Sequence, residues 1–278
     1  MGSKKEKNYK RELTIFLDGF LKTGDRKKLA QYLVSNSNLP SPRGNLELAM
    51  AFAEMVEVYS SRELENLWKF CLKLTEISAD EAPTNNPREF LAFCGTYGIG
   101  AVASVSSNFF EEAVALLQKL ASDPRWRVRE AVAMGIQKLL TKQSQKTLKE
   151  LDNWIADDEW LTMRAVAAGV AEPPILKDDK IAHAALELYK KIFGRIQSSR
   201  ERKSDNFKVM RKGLGYTLSV VVCAIPKEGF ALMQRLVSLQ DADILWIIKQ
   251  NLKKNRLIKN FPDHVDSITE LLNTQTEG

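Results

Sequence analysis

A short segment of this chain recurs 34 residues further on, and that recurrence constrains the fold more than any other feature. Asp123-Pro124-Arg125-Trp126-Arg127-Val128-Arg129-Glu130-Ala131-Val132-Ala133-Met134-Gly135 aligns with Asp157-Asp158-Glu159-Trp160-Leu161-Thr162-Met163-Arg164-Ala165-Val166-Ala167-Ala168-Gly169 at a single offset. The aspartate, the tryptophan, the Ala-Val-Ala trio and the glycine coincide. Each copy follows a helical pattern ending in an apolar pair, Leu116-Leu117 and Trp154-Ile155. A degenerate third copy covers 232–257, where Asp241-Ala242-Asp243 precedes Ile244, Trp246, Ile247 and Ile248. A unit of this size is a helix hairpin that cannot bury its apolar face alone, so neighbouring hairpins must stack. Within it Asp123 and Asp157 are expected to cap the second helix by accepting from its free N–H groups. Ala131, Ala133, Gly135, Ala165, Ala167 and Gly169 leave room for the next helix to approach.

The rest of the chain has the same period. Leu48, Phe52, Met55, Val56 and Tyr59 fall three and four apart, and Leu64, Leu67, Trp68, Cys71 and Leu72 continue the pattern past Ser61. The one strongly β-branched run, Val220-Val221-Val222, lies inside a helical pattern. About fourteen helices account for the sequence, and the fold class is all-α.

Between Phe90 and Phe110 no charged residue occurs over 21 positions, enough to cross a bilayer. Three glycines and five Ser, Thr or Asn residues lower its hydropathy, however, so it reads as a helix buried on all sides by its neighbours. Gly213 to Pro226 reads likewise. The basic N-terminus MGSKKEKNYKRE lacks a signal-peptide core, and Glu6 stands where myristoylation wants Ser or Thr. Three scattered cysteines, Cys71, Cys94 and Cys223, fit a reducing compartment. The expectation is a cytoplasmic protein without membrane contact.

Signatures of chemistry are weak. His183 and His264 have no partner at metal spacing, and no Cys-x-x-Cys occurs, so no metal is expected. Gly95, Gly98 and Gly100 do not form G-x-G-x-x-G, nor does Gly213-Leu214-Gly215, and neither group follows a strand. Asp157-Asp158-Glu159 is read as a helix cap and first turn rather than a catalytic cluster. No catalytic residue and no cofactor is assigned, and a binding role is expected over an enzymatic one.

Charge is distributed unevenly. Of the formal net charge of +6, residues 190–259 carry +11, from 16 basic and 5 acidic side chains. Lys249, Lys253 and Arg256 fall at i, i+4 and i+7, which would place them on one helix face as a phosphate-binding stripe. With Lys254, and with Lys208, Arg211 and Lys212 upstream, they are the candidate nucleic-acid-binding residues. The alternative is an ordinary solvated face. Ser198 to Asp205 is expected to be an exposed inter-helix loop.

The segment Asp123 to Ala133 resembles a HEAT repeat, whose second helix opens with aspartate and carries Val-Arg in its first turn. Val128-Arg129 keeps that pair and Thr162-Met163 does not. Phe207 to Leu218 (FKVMRKGLGYTL) is similar to a helix of the HEAT-like DNA alkylation repair family, the alkylpurine glycosylases. The first resemblance implies a right-handed α-solenoid of antiparallel helix pairs; the second implies a concave surface suited to duplex DNA. The glycosylases' Trp–carboxylate motif has no counterpart here. One continuous domain is expected, with a helical cap over 1–85, a HEAT-like core over 86–257, and a closing helix and tail over 258–278. The functional expectation is a scaffold that engages a macromolecule through its concave face. The alternative is a nucleic-acid-binding relative of the repair glycosylases, with base excision as an open possibility. The partner is accordingly another protein or the phosphate backbone of a nucleic acid.

Overall fold

The computed structural model describes residues 4–274, which form helices joined by turns and loops, without a β-strand among them. In chain order the helices are α1 (Lys4–Thr23), α2 (Lys27–Ser35), α3 (Leu46–Thr75), α4 (Glu89–Ser104), α5 (Phe110–Leu120), α6 (Trp126–Ala156), α7 (Trp160–Val170), α8 (Asp179–Ser198), α9 (Asp205–Ala224), α10 (Pro226–Val237), α11 (Ala242–Leu252), α12 (Asn255–Asn260) and α13 (Pro262–Thr274). Many helices that follow one another in the chain pack together, α3 and α4 most extensively. None of the described helices is long and apolar enough to cross a membrane.

Helix starts follow the local chemistry. The side chains of Asn45, Asp178, Ser204 and Asp241 accept from free N–H groups at the heads of α3, α8, α9 and α11. Pro226 occupies the first position of α10, where its missing N–H costs nothing. Asp18-Gly19, a hairpin dipeptide in other settings, lies inside α1. Two long helices are interrupted by one non-helical residue each, Glu63 in α3 and Gln143 in α6.

The chain divides into two compact units between Gln143 and Ser144. Residues 85 and 86, where the expected cap meets the expected core, both lie inside the first unit. Residues 257 and 258, on either side of the expected start of the closing helix, both lie within α12. Residues 275–278 of the expected tail lie outside the described residues.

In the first unit all sixteen residues of α4 are buried, which accounts for the uncharged run. Its small residues allow close backbone approach. A Cβ built on Gly100 would lie 2.4 Å from Gly135 Cα, and one on Gly95 would lie 2.6 Å from Leu74 Cβ. Burial includes Glu89, the residue just ahead of the run, whose Oε2 accepts from Arg127 Nη1 at 3.1 Å and from Asn85 N at 2.8 Å. Arg127 also donates to Asn85 Oδ1 and the Ser41 carbonyl, tying three segments together. Asp123 accepts from Arg125 N at 2.8 Å, directly ahead of α6, and its carboxylate forks onto the buried Arg125 guanidinium. A cap and a buried ion pair share that one carboxylate.

In the second unit α7 packs on α9 and α9 packs on α11, while α8 and α10 connect them in sequence and pack alongside. Asn251 of α11 is fully buried and stitches the last pair: it accepts from Ser219 N and donates to the carbonyls of Leu214 and Ile247. Tyr189 of α8 donates to the Ala167 carbonyl of α7 at 3.0 Å. Asp157 keeps the offset of Asp123, two residues before the residue that opens the next helix, here Glu159. The two tryptophans of the repeat part company. Trp160 is buried, edge-on to Phe207, and donates to the Glu201 carbonyl, whereas Trp126 is 42% exposed with the Arg127 guanidinium over its ring. Packing explains Trp160; Trp126 is not its equivalent.

Candidate nucleic-acid interface

The basic residues singled out above all lie in the second unit, and the structure sorts them into two groups. Lys208 and Arg211 are engaged internally. Lys208 Nζ sits 2.9 Å from Asp205 Oδ1, and that bond holds the Asp205 carboxyl below its usual range. Arg211 pairs with Asp243 and stacks on Trp246 at 4.6 Å, while Arg202 pairs with Asp241 and Asp243. These arginines join the heads of α9 and α11. They are part of the fold rather than a free surface.

Lys212, Lys249 and Lys253 form the second group. All three are exposed and make no ion pair among the described residues. Lys254 and Arg256 are half-buried and gathered on one aromatic ring. The Lys254 ammonium lies 5.1 Å and the Arg256 guanidinium 4.8 Å from the centre of Tyr216, and Arg256 Nη2 donates to the Tyr216 hydroxyl at 2.7 Å. Tyr216, one turn beyond Lys212 on α9, is half exposed.

The spacing argument for a single stripe does not survive. Lys249 is on α11, which ends at Leu252; Lys253 follows that end, Lys254 is extended, and Arg256 belongs to α12. The break has a physical cause. Continuing α11 would carry Leu257 away from the core, whereas a new turn beginning after Lys254 leaves Leu257 fully buried. Lys254 and Arg256 are brought together by this corner and by Tyr216, not by one helix face. Tyr216 is the residue that reading for charge alone missed, and its signal was an aromatic side chain between two basic clusters.

Beside Tyr216 opens a cleft of about 660 Å³. Leu176, Val220 and Ala224 supply apolar lining; Glu172, Asp179, Lys177 and Arg256 bring two charges of each sign to it. Partial burial holds the Glu172 carboxyl above the ordinary glutamate range. A raised carboxyl pKa means that the folded state takes up the proton more readily than the unfolded one. This group's contribution to stability therefore falls as pH rises from about 4.5 through the folded value. Glu172→Gln is expected to raise the melting temperature at about pH 7 and to leave it unchanged at about pH 3, where this carboxyl is protonated in the folded and the unfolded state alike. Thermal melts at the two pH values check it.

The cysteines fit no reactive site. Burial pushes the Cys71 thiol up to about 12 and moves Cys94 in the same direction. Cys223 lines the cleft, where burial raises its thiol against the opposing pull of Arg256. No group of three or more His, Cys, Asp or Glu residues that could hold a metal occurs among the described residues. No protein-family model matches the chain, and no curated protein sequence matches it either.

Proposed function

We propose that this chain is a HEAT-like helical-repeat protein, a right-handed solenoid of antiparallel helix pairs, whose role is binding. Its macromolecular partner is a nucleic acid held through phosphates on α9, α11 and α12. The observation that carries this reading is the pair Lys254 and Arg256 on the exposed ring of Tyr216, with Lys212, Lys249 and Lys253 exposed on α9, on α11 and at the end of α11. Scattered bases would have favoured a protein partner; clustered bases beside an aromatic ring favour a polyanion. The internal repeat and the α7–α9–α11 packing support the solenoid. Lysines are flexible point charges, so binding is expected to be weakly sequence-selective and steeply salt-dependent.

The test is a salt titration of binding to duplex and single-stranded DNA and RNA. Changing Lys212, Lys249 and Lys253 together to Glu should abolish binding and leave the melting temperature within a few degrees, because the three side chains are exposed. Changing them to Ala instead should flatten the slope of log affinity against log salt by about 2.7 on B-DNA, if each neutralises one phosphate. No affinity for DNA or RNA at low salt overturns the reading and leaves a protein partner for the same scaffold.

A further inference from the structure

The phosphate reading leaves the cleft beside Tyr216 unused, and its chemistry differs from that of the lysine surface. Its lining combines the apolar side chains of Leu176, Val220 and Ala224 with the half-buried carboxyl of Glu172, the carboxylate of Asp179, the ammonium of Lys177 and the amide of Asn260. Tyr216 and Arg256 close the side that faces the lysines. Two acidic and two basic side chains leave the lining without net charge, so the excess of positive charge that suits phosphates ends where the cleft begins. The head of α8 offers no anion site either, since Asp178 accepts from Lys180 N and Ile181 N there. What suits the cleft is a flat, uncharged ring with N–H groups to donate to carboxylates and a face to lay against apolar side chains, tethered to something that the neighbouring cations hold.

We infer that this cleft receives an unpaired nucleobase of a single-stranded nucleic acid whose phosphates lie on Lys212, Lys249, Lys253 and Lys254. The inference rests on the nucleic-acid reading above and adds the strand state of the ligand. Arg256 joins the two parts. Its guanidinium lies over Tyr216 and lines the cleft, so it presents a planar cation against which a base stacks. Glu172 and Asn260 supply hydrogen-bond partners for the base edge, and every base has such an edge, so selectivity among bases is modest. In a duplex those edges are already paired, and the cleft is left empty.

The experiment uses the full chain with an oligonucleotide carrying one 2-aminopurine, single-stranded or annealed to its complement. Wild type should bind the single strand more tightly than the duplex, by about 5- to 150-fold for one stacked base, with quenching of the 2-aminopurine fluorescence. Ala224→Trp fills the cleft without touching the lysines; it should remove the quenching and bring single-strand affinity down to the unchanged duplex value. Tyr216→Ala, at a half-exposed position, should also remove the quenching. Equal affinity for both strand states without quenching, together with binding that the Lys212, Lys249 and Lys253 to Glu variant abolishes, overturns the cleft and leaves the phosphate reading standing. Binding to neither nucleic acid overturns both.

Discussion

Gly100→Ala is expected to cost the first unit about 3 kcal/mol or more, a large part of the whole stability of a domain this size. The added Cβ would lie 2.4 Å from Gly135 Cα and 2.7 Å from Gly135 O, and both are backbone atoms. No side chain can swing aside to relieve the clash, so α4 and α6 would have to separate. Gly194→Ala is the control. It stands in α8 with nothing within 4 Å of the added carbon, and should gain up to about 1 kcal/mol from helix propensity. Urea titrations of the two variants beside wild type should shift the midpoint in opposite directions.

Arg127→Met should be destabilising by about 3 to 5 kcal/mol, because it strands the fully buried Glu89 without its cation. Glu89 Oε1 already has no hydrogen-bond partner, so the carboxylate depends on the contacts of its other oxygen. The double variant Glu89→Leu with Arg127→Met should recover much of the loss, since an ion pair replaced by apolar groups is often close to neutral. Recovery will be incomplete: Arg127 also serves the Ser41 carbonyl and Asn85 Oδ1, which the double variant leaves unserved. A double-mutant cycle on chemical unfolding measures the coupling.

How much of this could be read beforehand varied with the kind of interaction. The burial of α4 was legible because twenty-one uncharged positions broken by glycine have few other uses. The cap role of Asp123 followed from its place ahead of a helix, but its grip on Arg125 did not: a buried arginine looks like a surface one until its partners are known. Glu89 was hidden for the same reason, standing one residue outside the uncharged run. The helical periods predicted α11 and its apolar face, yet its end at Leu252 carries neither glycine nor proline. That end is set by tertiary demand, through Asn251 bonded into α9 and Leu257 turned into the core. A candidate site built on helix spacing across such a corner was bound to be rearranged. The lysines themselves remained where charge patterning put them, on the surface.

The loop from Ser199 to Lys203, read from sequence as merely exposed, is fastened at several points. Trp160 Nε1 donates to the Glu201 carbonyl, Arg202 Nε donates to the Ser199 carbonyl, and the Arg202 guanidinium closes on Asp241. Arg202 is 23% exposed in its side chain, whereas Lys212, Lys249 and Lys253 stand in solvent. Mobile ions reach the second set and are largely kept from the first, so at about 1 M salt, where screening acts within about 3 Å, the two respond differently. A bound polyanion would be washed off while the clasp across α7, α9 and α11 stayed shut. With the proposed binding charges and the structural charges on the same helices, that separation means that a complex formed as proposed would be loaded and stripped by ionic strength while the clasp held.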